Sequence, residues 1–295
     1  MSGPDADHAL ARAEAPVARV VRTVARTAPD VRGGLADRRM YGTGENPSGE
    51  QQLAADIYAD ELLAERLLAV DGVAGYASEE RPEVVTAADT DDGYHVACDP
   101  LDGSSNLKSN NAMGTVFAVY DAPLPASGAH IVAAGYVLYG PITTLALAVG
   151  DRGSEYVVRG GEPELDTADL TLPADPVVYG FGGRVPDWPD DFADYAASVE
   201  GELKLRYGGA MIADVNQVLA YGGVFAYPAL ESAPAGKLRL VFEGAPIGYL
   251  VRAAGGASSD GEQSLLEVEP TDLHQRAPLH LGNTALIERL ERTLD

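Results

Sequence analysis

The sequence predicts a layered α/β fold, and three observations carry that expectation. Runs rich in β-branched and aromatic residues alternate with segments of helical periodicity along the whole length. Glycines punctuate the strand-like runs. At 295 residues and 46% hydrophobic, the chain can bury one large core or two closely joined ones.

The elements follow in order. "VARVVRTVA" places Val17, Val20, Val21 and Val24 at helical spacing. "ENPSGEQQLAADIYADELLAERLLA" opens on Pro-Ser-Gly and runs on as a helix through Leu53, Ile57 and Leu67. A turn at "VDGVAG" leads to a short segment ending in "ASEE", and "DTDDG" is a second turn by composition. "YHVACDP" reads as a strand that stops at Pro100. "GTVFAVY", "IVAAGYVLYG", "TTLALAV" and "EYVVRG" have strand character, and "PADPVVYGFGG" adds a strand into a glycine turn. "AMIADVNQVLAYGG" is a helix whose paired glycines suit a left-handed C-cap. "GVFAYPA", "LRLVFEGAPIGYLVRAAGG" and "LLEVEP" read as strand, strand–turn–helix and strand. "NTALIERLERTLD" is a helix with an Asn start. A seam is expected near "GGEPELDTADLTLP", dividing residues 1–165 from residues 166–295.

Charge narrows the function. Asp and Glu number 45 against 21 Lys and Arg, a formal net charge of −24, which repels a nucleic-acid backbone. Lysine is confined to Lys108, Lys204 and Lys237. So acidic a chain, almost without lysine, reads as a protein of a halophile's salty cytoplasm, where concentrated salt screens self-repulsion. No run of eighteen apolar residues spans a membrane, and the N-terminus lacks a secretory pattern, so a cytoplasmic location is expected. Cys98 is the only cysteine, which excludes an intrachain disulfide. The five histidines show no ligand spacing.

The chemistry concentrates in "DPLDGSSN", residues 99–106. Asp99 and Asp102 follow a strand and can aim two carboxylates at one point, as a hard divalent cation requires. Gly103, Ser104 and Ser105 supply backbone N–H groups and hydroxyls suited to a phosphate. An ordinary Asx-rich turn uses the same residue types. Further acids weigh against it. Glu79 and Glu80 end the preceding strand-like segment, where parallel pairing brings them beside Asp99, and Glu243 lies between a strand and a helix. So many carboxylates gathered together need bound cations.

"ACDPLDGSSN" resembles the metal motif of the lithium-sensitive, metal-dependent sugar and inositol phosphatase superfamily. "RYGGAMIADVNQVLAYGGVFAYPA", "GKLRLVFEGAPIGYLVRAAGG" and "LHQRAPLHLGN" resemble class I fructose-1,6-bisphosphatase, and the likeness runs from about Pro47 to Asn283. The resemblance implies an αβαβα sandwich of the sugar phosphatase type. Most metal ligands would lie in the N-terminal half, and the sugar and 6-phosphate contacts, with Glu243, in the C-terminal half. It further implies Mg²⁺-dependent hydrolysis of the 1-phosphate of fructose 1,6-bisphosphate in gluconeogenesis, by a homotetramer. Asp99, Asp102 and Glu243 would bind one metal. Glu79, Asp99 and the carbonyl of Leu101 would bind a second, and Glu50, in a mobile loop, would help hold a third. Two to three Mg²⁺ per subunit are expected, with Mn²⁺ as a substitute. Glu80 and Asp56 would activate the attacking water. Gly103, Ser104 and Ser105 would hold the 1-phosphate, with Arg239 near it. Arg206, reaching across from a neighbouring subunit, would join Tyr207, Tyr227 and Lys237 on the 6-phosphate, and Met211 would meet the sugar through its backbone.

The family pattern also breaks in places. Its Asn-Glu-Gly-Tyr stretch appears as "GFGGRV", where Gly182 and Val185 lack the side chains and Arg184 is the candidate substitute. Sedoheptulose-1,7-bisphosphatase or a broader sugar or inositol phosphatase therefore stays open. A non-catalytic sugar-phosphate-binding regulator is the alternative of another class. Animal members bind AMP through an N-terminal turn, a Lys-Tyr pair and an arginine. Here the turn is missing and Gly93-Tyr94 and Asp121 stand at the other two places, so AMP inhibition is not expected. The cysteine-bearing loop of redox-controlled plastid relatives is absent as well.

Overall fold

Five layers stack in the order α–β–α–β–α, bound by three apolar clusters. The computed structural model describes residues 7–47, 49, 51–87 and 92–294. The outer helical layer comprises α1 (Ala9–Arg12), α2 (Ala15–Gly34) and α3 (Ala54–Leu68). A small hairpin, β1 (Tyr41–Glu45) with β2 (Gln51–Leu53), lies between α2 and α3 in the chain. The first large sheet contains β3 (Val73–Ser78), β4 (Val85–Thr86), β5 (Tyr94–Asp102), β6 (Met113–Tyr120), β7 (Ile131–Tyr139), β8 (Thr143–Val149), β9 (Arg152–Arg159) and β10 (Glu162–Thr167). Its spatial order is β10-β9-β8-β7-β6-β5-β3-β4, and the β3–β5 pair is parallel.

The second half supplies β11 (Val178–Phe181), α4 (Asp190–Glu200), β12 (Lys204–Leu205), α5 (Met211–Tyr221) and β13 (Gly223–Tyr227). It continues with β14 (Leu238–Arg239), α6 (Ala245–Ala253), β15 (Ala257–Ser259), β16 (Arg276–Ala277), β17 (Leu279–Gly282) and α7 (Thr284–Leu294). The second sheet runs β12-β11-β13-β17-β15. Strand alternation sorts the side chains between layers. On β6, Met113, Phe117 and Val119 face α2 and α3, where Val17, Val20, Val21 and Val24 are buried. Val116, Ala118 and Tyr120 face the middle layer of α5 and α6. The far side of the second sheet, with Phe181 and Ala226, packs on Phe192 of α4 and Leu290 of α7.

Local expectations are corrected at several points. β5 does not stop at Pro100 but continues to Asp102, because its register against β6 shifts between Asp99 and Asp102 and accommodates a residue without an N–H. α3 starts at Ala54, since Gln51–Leu53 pairs with β1 instead. "LLEVEP" forms no strand; Leu265 and Leu266 are buried in a turn, with Leu266 against Gly128. Gly222 has φ +69° but ψ 149°, so α5 ends without a closed left-handed cap. In "DTDDG", Asp89–Asp91 lie outside the described residues.

Candidate active site

A cavity of about 360 Å³ opens where β3 and β5 end and where α5 and α6 begin. Parallel pairing sets Ser78 opposite Cys98, and the Glu79 N–H donates to the Cys98 carbonyl at 3.1 Å. On β5, Ala97 faces the middle layer, so Asp99, two residues on, turns the same way. The Asp99 carboxylate accepts the Leu101 N–H at 2.9 Å. Asp102 accepts the Ile212 N–H at 2.9 Å, at the start of α5. Glu243 sits in a π-helical turn, Leu240–Gly244, ahead of α6, and accepts the Arg239 N–H at 2.6 Å.

Ligand-grade oxygens of Asp99, Asp102 and Glu243 lie within 4.8 Å of one another. All three residues are at most 5% exposed. Burial, then repulsion from Glu79 and the neighbouring acids, pushes the Asp99 and Glu243 carboxyls well above their usual range. Burial raises Asp102 to about 7 against the Ile212 hydrogen bond, which lowers it. Glu79 meets the buried Arg239 guanidinium at 3.0 Å. Clustered hard oxygens with repelling charges match the donor set of a Mg²⁺-type cation, so these residues fit the metal the sequence implies. Leu101 lines the same cavity.

The phosphate-type turn follows directly. Gly103 has φ +73° and ψ 28°, and a Cβ there would stand 2.1 Å from the Ala210 Cβ. Only glycine fits both the left-handed backbone and that contact. Ser104 and Ser105 line the cavity beyond it. Asp56, in the first turn of α3, accepts the Leu53 N–H at 2.8 Å and a hydrogen bond from Ser104; burial nevertheless raises it to about 6. Glu80 is raised to about 8, chiefly by burial, and accepts a hydrogen bond from Gln52 Nε2 at 2.5 Å.

Tyr207, Met211, Tyr227, Lys237 and Arg239 line the same cavity. Arg206 does not line this cavity; it is exposed, and its N–H donates to the Tyr179 carbonyl at 2.7 Å. Glu50 lies outside the described residues. A Cβ on Gly182 would stand 2.3 Å from the Tyr227 ring, so the bare glycine of "GFGGRV" leaves that ring its place. Sequence reasoning missed Gln52 and Asp214. Asp214 lines the cavity and accepts the Gly208 N–H at 2.6 Å. Neither has a local signal, since one is a glutamine in a polar run and the other an acid inside a helix.

The sandwich and its carboxylate-lined, glycine-cradled cavity fit the class of metal-dependent phosphatases. Residues 15–161 match the family description "Fructose-1-6-bisphosphatase, N-terminal domain", and residues 172–295 match "Fructose-1-6-bisphosphatase, C-terminal domain". The chain belongs to the fructose-1,6-bisphosphatase family. It is 65% identical over 276 residues to the "Fructose-1,6-bisphosphatase class 1" of Natronomonas pharaonis, covering 93% of this chain and 97% of that protein. It is 54% identical over 289 residues to "Fructose-1,6-bisphosphatase class 1 1" of Haloarcula marismortui, covering 98% of each. These relatives come from halophilic archaea, in keeping with the acidic composition. Among solved structures, holo fructose-1,6-bisphosphatase of Leishmania major superposes with TM-score 0.90 at 26% identity, covering 96% of this chain and 95% of that one.

Proposed function

We propose that this protein hydrolyses the 1-phosphate ester of fructose 1,6-bisphosphate, releasing fructose 6-phosphate and phosphate in gluconeogenesis. One observation carries the reading: Asp99, Asp102 and Glu243 converge within 4.8 Å beside the Gly103–Ser105 turn. Asp99, Asp102 and Glu243 would hold one Mg²⁺; Glu79, Asp99 and the Leu101 carbonyl a second; and Glu50 a third, with Mn²⁺ as a substitute. Divalent ions bound there neutralise phosphate charge and lower the pKa of water. The residues do the rest. Gly103, Ser104 and Ser105 cradle the 1-phosphate, and Arg239 draws its charge. Asp56 and Glu80 orient the attacking water and take its proton, a role suited to their raised pKa values.

Tyr207, Tyr227 and Lys237 hold the 6-phosphate, joined by Arg206 of a neighbouring subunit in a homotetramer, and Met211 positions the sugar through its backbone. Residues 1–165 and 166–295 form the two functional halves, the first with most metal ligands and the second with the sugar contacts and Glu243. No helix among the described residues is long and apolar enough to cross a membrane, and the cytoplasm is the proposed location. The test is phosphate release from fructose 1,6-bisphosphate at high KCl, with and without Mg²⁺ and with added Li⁺. Mg²⁺-dependent, Li⁺-sensitive release is expected. No release from this substrate under any of these conditions would sink the reading.

A further inference from the structure

Glu79 and Glu80 occupy the two corner positions of a β-turn, Ser78–Arg81, closed by the Arg81 N–H donating to the Ser78 carbonyl at 3.1 Å. The Glu80 N–H also bonds the Ser78 hydroxyl at 3.1 Å. Corner residues of a turn point wherever its ends are held. One end is fixed by β3 in the sheet. The other end, Arg81, is tied from two sides. Its Nε donates to Asp60 Oδ2 at 2.7 Å, and its carbonyl accepts a hydrogen bond from His274 Nε2 at 2.8 Å.

Neither anchor belongs to the cavity lining. Asp60 is buried on α3, one turn beyond Asp56, and its other oxygen accepts the Tyr76 hydroxyl at 3.1 Å. His274 comes from the distant segment ahead of β16, with its ring 5.3 Å from that of Phe242 in the turn that carries Glu243. Arg81 thus joins the acid-bearing turn to the helix of Asp56 and to the wall beside Glu243.

We propose that Arg81, clamped by Asp60 and His274, is a positioning residue that sets the direction of the Glu79 and Glu80 carboxylates toward the cation site. The inference deepens the phosphatase reading and rests on it for its catalytic arm. Asp60 Oδ2 is a buried acceptor, so an uncharged residue at 81 loosens the side-chain tie of the turn while a lysine partly keeps it. His274→Gln keeps an N–H donor for the Arg81 carbonyl, and His274→Leu removes it.

The test compares full-length wild type with Arg81→Gln, Arg81→Lys, His274→Gln and His274→Leu at high KCl. Mn²⁺ binding without substrate is followed by the electron paramagnetic resonance of free Mn²⁺, and kcat and KM are measured with Mg²⁺. Arg81→Gln and His274→Leu are expected to weaken Mn²⁺ binding and lower kcat by about 10-fold each, as outer-shell changes do, with KM moved less than about twofold. Arg81→Lys and His274→Gln should recover most of both. If Arg81→Gln fails to fold, the His274 pair decides alone. Wild-type Mn²⁺ affinity and kcat in a folded Arg81→Gln or in His274→Leu would overturn the proposal, as would conservative variants as impaired as the disruptive ones. The Mn²⁺ titration stands even if fructose 1,6-bisphosphate is not the substrate, so failure of the clamp and failure of the phosphatase reading are distinguishable.

Discussion

Asp102 has two partners. Its carboxylate accepts the Ile212 N–H at the start of α5, and one of its oxygens lies within 4.8 Å of those of Asp99 and Glu243. Asp102→Asn keeps an amide oxygen for Ile212 but removes the charge. Phosphate release is expected to fall at least about 100-fold, since losing a ligand should exceed the 10–100-fold effect of an outer-shell change. Metal-free melting should stay level or rise, because a buried repulsion is relieved. A folded variant with wild-type turnover would refute the assignment. Gly103 tests the neighbouring turn on purely steric grounds. With φ +73° and the Ala210 Cβ 2.1 Å from any added Cβ, Gly103→Ala should lose about 2 kcal/mol or more in denaturant unfolding.

At the scale of elements, the site is a meeting of ends. β3 delivers Glu79 and Glu80, β5 delivers Asp99 and Asp102, α3 contributes Asp56 and the turn before α6 contributes Glu243. Bringing these ends together without cations keeps protons on carboxyls that would lose them in the unfolded chain. Glu80 rises from 4.5 to about 8 and Asp102 from 3.8 to about 7. Their stabilising contribution is complete below the unfolded values and is lost as pH climbs toward 7–8. His280, buried and lowered to about 4, acts in the opposite sense, with its contribution lost as pH falls below about 6.5. The magnesium-dependent difference in melting temperature isolates the acids. It should be larger near pH 8 than near pH 5, because the ion must displace more protons from these carboxyls at the lower pH. An equal difference at both values would count against cation binding by these carboxyls.

The whole molecule carries a net −24 that remains after every Lys and Arg is counted, including those in surface ion pairs such as Arg12–Asp7 and Arg289–Glu202. Self-repulsion over the surface is screened within about 3 Å at 1 M salt. Melting temperature and activity are therefore expected to rise with KCl into the molar range; full activity and an unchanged melting temperature in dilute buffer would contradict salt adaptation. AMP at millimolar concentration should leave activity unchanged in the same assay. Gly93 packs with its would-be Cβ 2.7 Å from the Gly72 carbonyl, the Tyr94 hydroxyl donates to Glu14, and Asp121 pairs with His130. An acid paired with a histidine replaces an anion-seeking cation there.

The helices and long strands were legible because periodicity is local. The four valines of α2 and the two faces of β6 declare their layers within one or two turns of chain. Short strands such as β12 and β16 were not, since two residues carry no period and exist only through their partners. Pro100 misled for the same reason: its tolerance inside β5 depends on a register shift against β6. By itself the sequence determined the fold class, the salt-adapted charge and the motif that carries Asp99, Asp102 and the phosphate-type turn. Only the tertiary structure decided that Gln52 reaches Glu80, that Asp214 holds the Gly208 backbone and that Asp60 and His274 both grip Arg81. Those contacts join residues up to 193 positions apart, and no local pattern of hydrophobicity or charge encodes a distance that long.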